Sequence, residues 1–182
     1  NGIFKVPNQN KANATASLGG VIKSILVQTG NTVSKGKIIA TITNNSFITL
    51  QEEFLSISSK AELAQLEFNR QKELQQGNAT ALKNLQSAEA ELKTLKARKA
   101  SLQKQLELIG INTASLTSEN IQTVVNITSP INGTISNVMV NIGSYVDANN
   151  PIAEIVDNSQ LHLDLYVYEK DLQKLKVGQT IH

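Results

Sequence analysis

Apolar positions along the 182-residue chain follow two different patterns. From Gly20 to Ile42, and again from Gly133 to Ile155, they come in short β-type clusters broken by glycine. Between these stretches they recur every three or four residues. Laying Gly20 over Gly133, an offset of 113, aligns Gly20-Val-Ile-Lys-Ser-Ile-Leu-Val-Gln-Thr-Gly30 with Gly133-Thr-Ile-Ser-Asn-Val-Met-Val-Asn-Ile-Gly143. Without a gap, Val33 then falls on Val146, Ile39 on Ile152, Ala40 on Ala153 and Ile42 on Ile155, giving eight identities. Val21, Ile22, Ile25 and Val27 favour strands, and Gly30-Asn31 and Gly143-Ser144 supply turns that need a positive φ. Gly36 precedes a second strand at Ile38–Ile42. Pro151 opens its counterpart, where no ladder donor is yet required. Each copy is about 30 residues, too small for its own core, so the two are expected to pack as one small sandwich.

The intervening stretch reads as two helices, Phe47 to Gln76 and Thr80 to Ile109, free of glycine and proline within each arm. The first places Leu50, Phe54, Ile57, Ala61, Ala64, Phe68 and Gln71 at alternating steps of four and three. The second does the same with Leu85, Ala88, Leu92, Leu95, Lys99, Leu102, Leu106 and Ile109. That spacing is a heptad seam. Gly77-Asn78 is expected to end the first helix in the left-handed conformation, Thr80 to cap the second, and Gly110 to stop it. Two such arms with a short turn specify an antiparallel coiled coil of about 45 Å at 1.5 Å per residue. The sandwich accounts for the remaining hydrophobic repeat, so the rod is expected to stand uncovered and to serve docking.

Composition narrows the function. There is no Cys, which excludes disulfides and thiol chemistry, and aromatics are only 4% with no Trp, a poor basis for stacking on bases or sugars. Seventeen basic against fifteen acidic residues leave +2, too even for an electrostatic nucleic-acid binder. No apolar run reaches the ~18–20 residues of a membrane span. Two His residues, His162 and His182, and a single Met, Met139, cannot assemble a zinc or soft-metal site. Met139 aligns with Leu26 and is expected in the sandwich core. Glu52 and Glu53 are neighbours on a helix and diverge, so they form no acid/base pair. No cofactor, catalytic or metal site is expected.

After the second copy, Leu161, Leu163, Leu165 and Val167 alternate with more polar residues, the mark of a half-buried strand. Glu169–Lys176 follows as a short helix and Val177–Ile181 as the start of a strand. These pieces read as the opening of a β-barrel cut at His182, to which a strand at Ile3–Val6 also belongs. The chain starts within that strand without Met and is expected to be a mature or trimmed piece.

The motif Gly-Val-x-x-Ile-x-Val-x-x-Gly, and Ser129-Pro-Ile-Asn-Gly133 in the second copy, resemble the halves of biotinyl/lipoyl carrier domains. Such carriers join their halves at a hairpin bearing a modified Lys. Here Thr43-Asn44-Asn45-Ser46 occupies that place, with Ser46 roughly where the Lys would stand. The carrier's attachment point is lost.

The whole order (barrel piece, half-motif, helical hairpin, half-motif, barrel piece) resembles the HlyD-like periplasmic adaptor, or membrane fusion, proteins of tripartite efflux pumps. The resemblance rests on Gly19-Gly20-Val-Ile-Lys-Ser-Ile, Pro130-Ile-Asn-Gly133, Val167-Tyr-Glu-Lys-Asp-Leu172 and Lys176-Val-Gly-Gln179. Arg70-Gln-Lys-Glu-Leu74 and Leu106-Glu-Leu-Ile-Gly-Ile111 are most similar to adaptors of resistance-nodulation-division transporters, in the heavy-metal branch. The resemblance implies an α+β, elongated, multi-module architecture. Its parts are a barrel strand at 1–12, a lipoyl-like half at 13–45, the hairpin at 46–111, a return linker and second half at 112–157, and the barrel opening at 158–182. It further implies a non-enzymatic periplasmic subunit, anchored to the inner membrane by a segment outside this sequence and exporting metal ions or small toxic compounds. Its partners would be an inner-membrane efflux transporter, an outer-membrane TolC-type channel and further copies of itself, about six in a ring, with no nucleic acid. The family's tip motif has Arg, Leu four residues on, and Ser seven further. Arg70 and Leu74 match, while Ala81 takes the Ser position with Thr80 beside it. Channel docking is therefore expected at Arg70, Leu74, Gly77, Asn78, Thr80 and Ala81. An adaptor of an ABC exporter or type I secretion system, and a biotinyl or lipoyl carrier subunit, are the competing readings.

Overall fold

A computed structural model of the chain describes residues 2–5, 10–77, 81–160 and 162–165. The described chain runs β1 (Gly2–Lys5), β2 (Lys11–Thr15), β3 (Gly20–Ile25), β4 (Thr32–Val33) and β5 (Ile38–Thr43), then α1 (Asn45–Gln76) and α2 (Leu82–Leu108). It returns through β6 (Val124–Thr128), β7 (Gly133–Val138), β8 (Tyr145–Val146), β9 (Pro151–Val156) and β10 (His162–Leu165).

The internal repeat is the plan of the sandwich. Strands β2, β3, β4 and β5 reappear as β6, β7, β8 and β9, each displaced by 113 residues. One sheet has the order β2-β9-β7-β4 and the other β6-β5-β3-β8, so each draws two strands from each half. Registers obey the same displacement. Ile22 faces Ile42 and Ser24 faces Thr41 across a bulge, as Ile135 faces Ile155 and Asn137 faces Glu154. The Ile22 amide donates to the Ser144 carbonyl at 2.9 Å, and the Ile135 amide to the Asn31 carbonyl at 2.9 Å. Neither half closes its sheets without the other, which is the two-half packing expected from the sequence. Ile22, Ile39, Ile42, Ile135, Ile152 and Ile155, all repeat positions, are fully buried between the sheets.

The turn glycines behave as expected, with φ of 90° at Gly30 and 85° at Gly143. Gly20 and Gly133 are needed for close approach. A Cβ on Gly133 would lie 2.5 Å from the Val156 carbonyl oxygen, and one on Gly20 would lie 2.7 Å from that of Thr43. Met139 departs from its expected place. It is 44% exposed, and its repeat partner Leu26 also faces outward. Both follow the last core position of their strands, where the chain leaves the sheet.

The repeat read from Gly20 onward omits a strand. β2 and β6, Lys-Ala-Asn-Ala-Thr15 and Val-Val-Asn-Ile-Thr128, stand at the same offset and share the Asn and the Thr. At the chain ends β1 pairs antiparallel with β10, Gly2 opposite Leu165 and Lys5 opposite His162. The helix expected at Glu169–Lys176, the strand at Val177–Ile181 and His182 lie outside the described residues.

Candidate functional site

The hairpin leaves the sandwich at the turn where a carrier domain would bear its Lys. Asn44 makes this junction. Its side-chain oxygen accepts from the Ser46 amide at 2.9 Å, capping α1, while its amide nitrogen donates to the Gly19 carbonyl at 2.6 Å. Ser46 therefore sits in the first turn of a helix rather than on a hairpin tip. Asp157, 113 residues on, accepts from the Ser159 amide at 2.9 Å in the same way, but caps only a 3-10 turn at Asn158–Gln160. That backbone bond, and then the Ser159 hydroxyl, hold the Asp157 carboxyl below its usual range. The insertion thus grows from a capping position that both halves possess.

At its base the rod is fused to the sandwich core. Phe47, Phe54, Leu102, Leu106, Ile109 and Ile111 are buried in one cluster with the sandwich residues. Gln51 is fully buried and fully bonded. Its nitrogen donates to the Phe47 carbonyl at 2.7 Å and the Gln122 carbonyl at 2.8 Å, and its oxygen accepts from the Gln122 amide at 2.8 Å. The returning linker is tied to α1 by this one side chain. The Ser17 hydroxyl adds a bond to the Leu108 carbonyl at 3.2 Å. Sequence reasoning missed both Asn44 and Gln51. The signal for Gln51 is an amide on the seam side of a helix, where only a paired polar group is tolerated.

The expected heptad seam holds. Ala61, Ala64 and Leu92 are buried along it, and Phe68, Leu85 and Ala88 half-buried nearer the tip. Lys99 keeps its seam place by setting its ammonium 6.0 Å from the centre of the Phe54 ring. Glu53 pairs with Arg98 across one edge of the seam. Lys96 donates to Gln65 at 2.7 Å across the other. α2 ends as expected, Gly110 taking a φ of 82° after the C-cap Ile109.

The tip differs from expectation in two respects. Gly77 caps α1 with a φ of −84°, outside the left-handed region, its amide still donating to helix carbonyls. The N-cap of α2 is Ala81, with no side-chain cap bond, instead of Thr80. Asn78 and Thr80 lie outside the described residues. Arg70 is exposed and tied to its own helix, its Nη2 2.6 Å from Glu67 Oε2. Gln71 donates to the other Glu67 oxygen at 2.8 Å. Gln71 first, then Arg70, holds the Glu67 carboxyl below its usual range. Leu74 is 39% exposed, one helical turn beyond Arg70, and Gly77 and Ala81 are exposed after it. The described tip residues therefore offer an apolar side chain beside a guanidinium held by a neighbouring carboxylate. Among the described residues no cluster of His, Asp and Glu could hold a metal ion, and no helix is long and apolar enough to cross a membrane.

A split sandwich interrupted by a long helical hairpin defines a class, the barrel-sandwich hybrid. Residues 10–157 match the family described as "CzcB-like, barrel-sandwich hybrid domain", and the chain belongs to that family. It is 24% identical over 173 residues to the cobalt-zinc-cadmium resistance protein CzcB of Cupriavidus metallidurans, covering 94% of this chain and 32% of that protein. Among solved structures it resembles ZneB from Cupriavidus metallidurans, with a TM-score of 0.63 at 20% identity, covering 98% of this chain and 73% of that one. It also resembles a MacA-MexA chimera carrying the Pseudomonas aeruginosa MexA α-hairpin, with a TM-score of 0.64 at 22% identity over 96% of this chain and 57% of that one. The chain spans about a third of the length of the curated CzcB it matches.

Proposed function

We propose that this chain is the sandwich and hairpin of a periplasmic adaptor that links an inner-membrane transporter of the resistance-nodulation-division type to an outer-membrane channel for the export of metal ions. The observation that carries the reading is the rod itself, which is rooted in the core at one end and free at the other. A rod of 32 residues in α1 reaches about 48 Å from its root. The family assignment and the name of CzcB support metal ions as the exported class. The role is structural. It couples two other proteins and catalyses nothing. In this reading the assembly sits in the periplasm, is held at the inner membrane by a segment outside this sequence, and contains several copies.

Docking runs through Arg70, Leu74, Gly77, Asn78, Thr80 and Ala81. Leu74 fills an apolar groove, and Arg70, released from Glu67, bonds carboxylates or carbonyls of the channel. Leu74→Cys or Ala81→Cys in the full-length protein places a reactive group at the tip of a chain with no cysteine in these 182 residues, and the same protein without the substitution is the control. Crosslinking in intact cells should trap an outer-membrane channel. Capture of an ATPase-linked exporter alone, or of nothing across several crosslinkers, overturns the reading.

A further inference from the structure

The turn that opens the second half of the sandwich contains a reactive pair. Among the described residues Asn132 is the only asparagine followed by glycine. Glycine has no Cβ, so nothing shields its backbone nitrogen from the side chain before it. That nitrogen can attack Asn132 Cγ and close a succinimide ring, its proton leaving with the side-chain nitrogen as ammonia. Water then opens the ring at either carbonyl, leaving aspartate or isoaspartate. The fold cannot lose the pair by replacing the glycine, because a Cβ there would lie 2.5 Å from the Val156 carbonyl oxygen.

Both reactants are engaged while the sandwich is closed. Asn132 Oδ1 accepts from the Lys35 amide at 2.8 Å, a bond across 97 positions of sequence. Gly133 pairs with Val33 in the β4–β7 ladder, and the Ile135 amide donates to the Asn31 carbonyl at 2.9 Å. Alternation along an antiparallel pair then sets the Gly133 amide on the Val33 carbonyl. The attacking nitrogen and the carbonyl it attacks are thus held by one short edge, β4 and the turn after it. The first half has no such arrangement. Gly19 is the repeat equivalent of Asn132, and it offers no side chain to Ala148, the equivalent of Lys35.

We infer that Asn132-Gly133 is a modification site gated by the β4–β7 edge, converted to aspartate or isoaspartate in chains whose halves have parted. With β4 in place, its two bonds hold the reacting atoms in separate roles. Once the edge opens, they are free to meet as in an unfolded chain. Aspartate still offers an oxygen to the Lys35 amide. Isoaspartate instead adds a methylene to the main chain directly before Gly133, where the Val156 carbonyl leaves no room. Gly133 then falls out of register with Val33, and the halves cannot reclose. The modification retires opened chains, whatever the closed chain couples.

The test incubates the full-length protein for days in mildly alkaline buffer and follows the peptide containing Asn132 by chromatography and mass spectrometry. Conversion should be slow in the folded protein and fast in unfolding urea. Lys35→Pro isolates the restraint. Lys35 is the second residue of a turn closed by the Lys37 amide on the Ser34 carbonyl at 3.0 Å, with Gly36 at a φ of 85°. Proline is favoured at that place, so the variant keeps the turn and removes the amide donor to Asn132. It should raise conversion of the folded protein about fivefold, the factor that one net hydrogen bond sets on an opening equilibrium. Conversion in urea should not change, and Lys35→Ala, which keeps the amide, should convert at the unsubstituted rate. The isoaspartate fraction should lose amide protection at Val33 and Ile135, while Asn132→Asp retains it. A folded rate equal to the rate in urea overturns the gate, even if Lys35→Pro fails to fold. A folded Lys35→Pro that converts no faster than the unsubstituted protein overturns it too. Retained protection in the isoaspartate fraction overturns the retirement of opened chains.

Discussion

The two ends of the hairpin obey one heptad rule with unequal results. At the base, Phe47, Phe54, Leu102 and Leu106 are buried in one cluster with the sandwich residues and Leu116 of the return linker. Towards the tip, Phe68 and Leu85 meet only the other helix and stay half-exposed. A two-helix coil has a single apolar interface; it still buries Ala61, Ala64 and Leu92 in the middle of the rod, but leaves the seam side chains nearer the tip partly in water. At the base the sandwich and the return linker around Thr113–Ser115 and Leu116 supply further cover. The difference teaches that the rod draws its stability from its root and leaves its far end free to exchange internal contacts for contacts with a partner.

The largest effect that would break this picture lies in the root. Gly133→Val sets a side chain against the Val156 carbonyl and should prevent the sheets from closing, a loss above about 4 kcal/mol that unfolds the rod base with the sandwich. Urea denaturation followed by circular dichroism checks it, and a variant that keeps its helix signal but loses its sheets would mean that the rod is independent. Next comes a matched pair of seam truncations. Leu102→Ala at the base should cost about 2–5 kcal/mol, as a fully buried leucine does, whereas Leu85→Ala near the tip should fall below that range. Equal losses at the two positions would show that the seam is uniform and the comparison mistaken.

The sequence revealed the sandwich through residues that can satisfy only one geometry. Gly20 and Gly133 recur because the last strand of each half passes within contact distance, and the paired isoleucines recur because the same core is lined twice. Arms and seam were legible from a period that only a helix converts into a single face. What escaped notice depends on long-range context. β2 and β6 keep two identities, but Ala12 and Ala14 replace the larger Val125 and Ile127, which weakens the hydrophobic signal. Gln51 gave no signal because the groups that tie it to the linker, the Gln122 carbonyl and amide, are 71 positions away. At the tip, Arg70 and Leu74 were visible only through family resemblance, since an exposed arginine and leucine on a helix carry no pattern of their own.

A smaller effect tests the junction. Asn44→Ala removes the α1 cap and the bond to Gly19 together, and should cost about 1–2 kcal/mol. Asp157→Ala, at the equivalent position with only a short turn to cap, should cost less. If the two losses match, the cap adds nothing specific to the rod.

The smallest effect concerns acid, and it separates the ends again. Glu67 near the tip is held below the usual carboxylate range by Gln71 and then Arg70, and Glu107 at the base by Lys104 and then Gln103. A carboxylate with a depressed folded-state pKa contributes stability that is complete above its unfolded value, about 4.3 for Glu. That contribution is lost as the pH falls through the lower folded value. Both groups are exposed, so each contributes little. Their consequences differ because of what lies beneath them. Below about pH 4, amide exchange should quicken over residues 70–76, where little besides these surface bonds holds the helix. It should stay unchanged over residues 102–108, where the buried Leu102 and Leu106 keep α2 in place after Glu107 is protonated. Equal acceleration at both ends would show that burial at the root does not protect the rod.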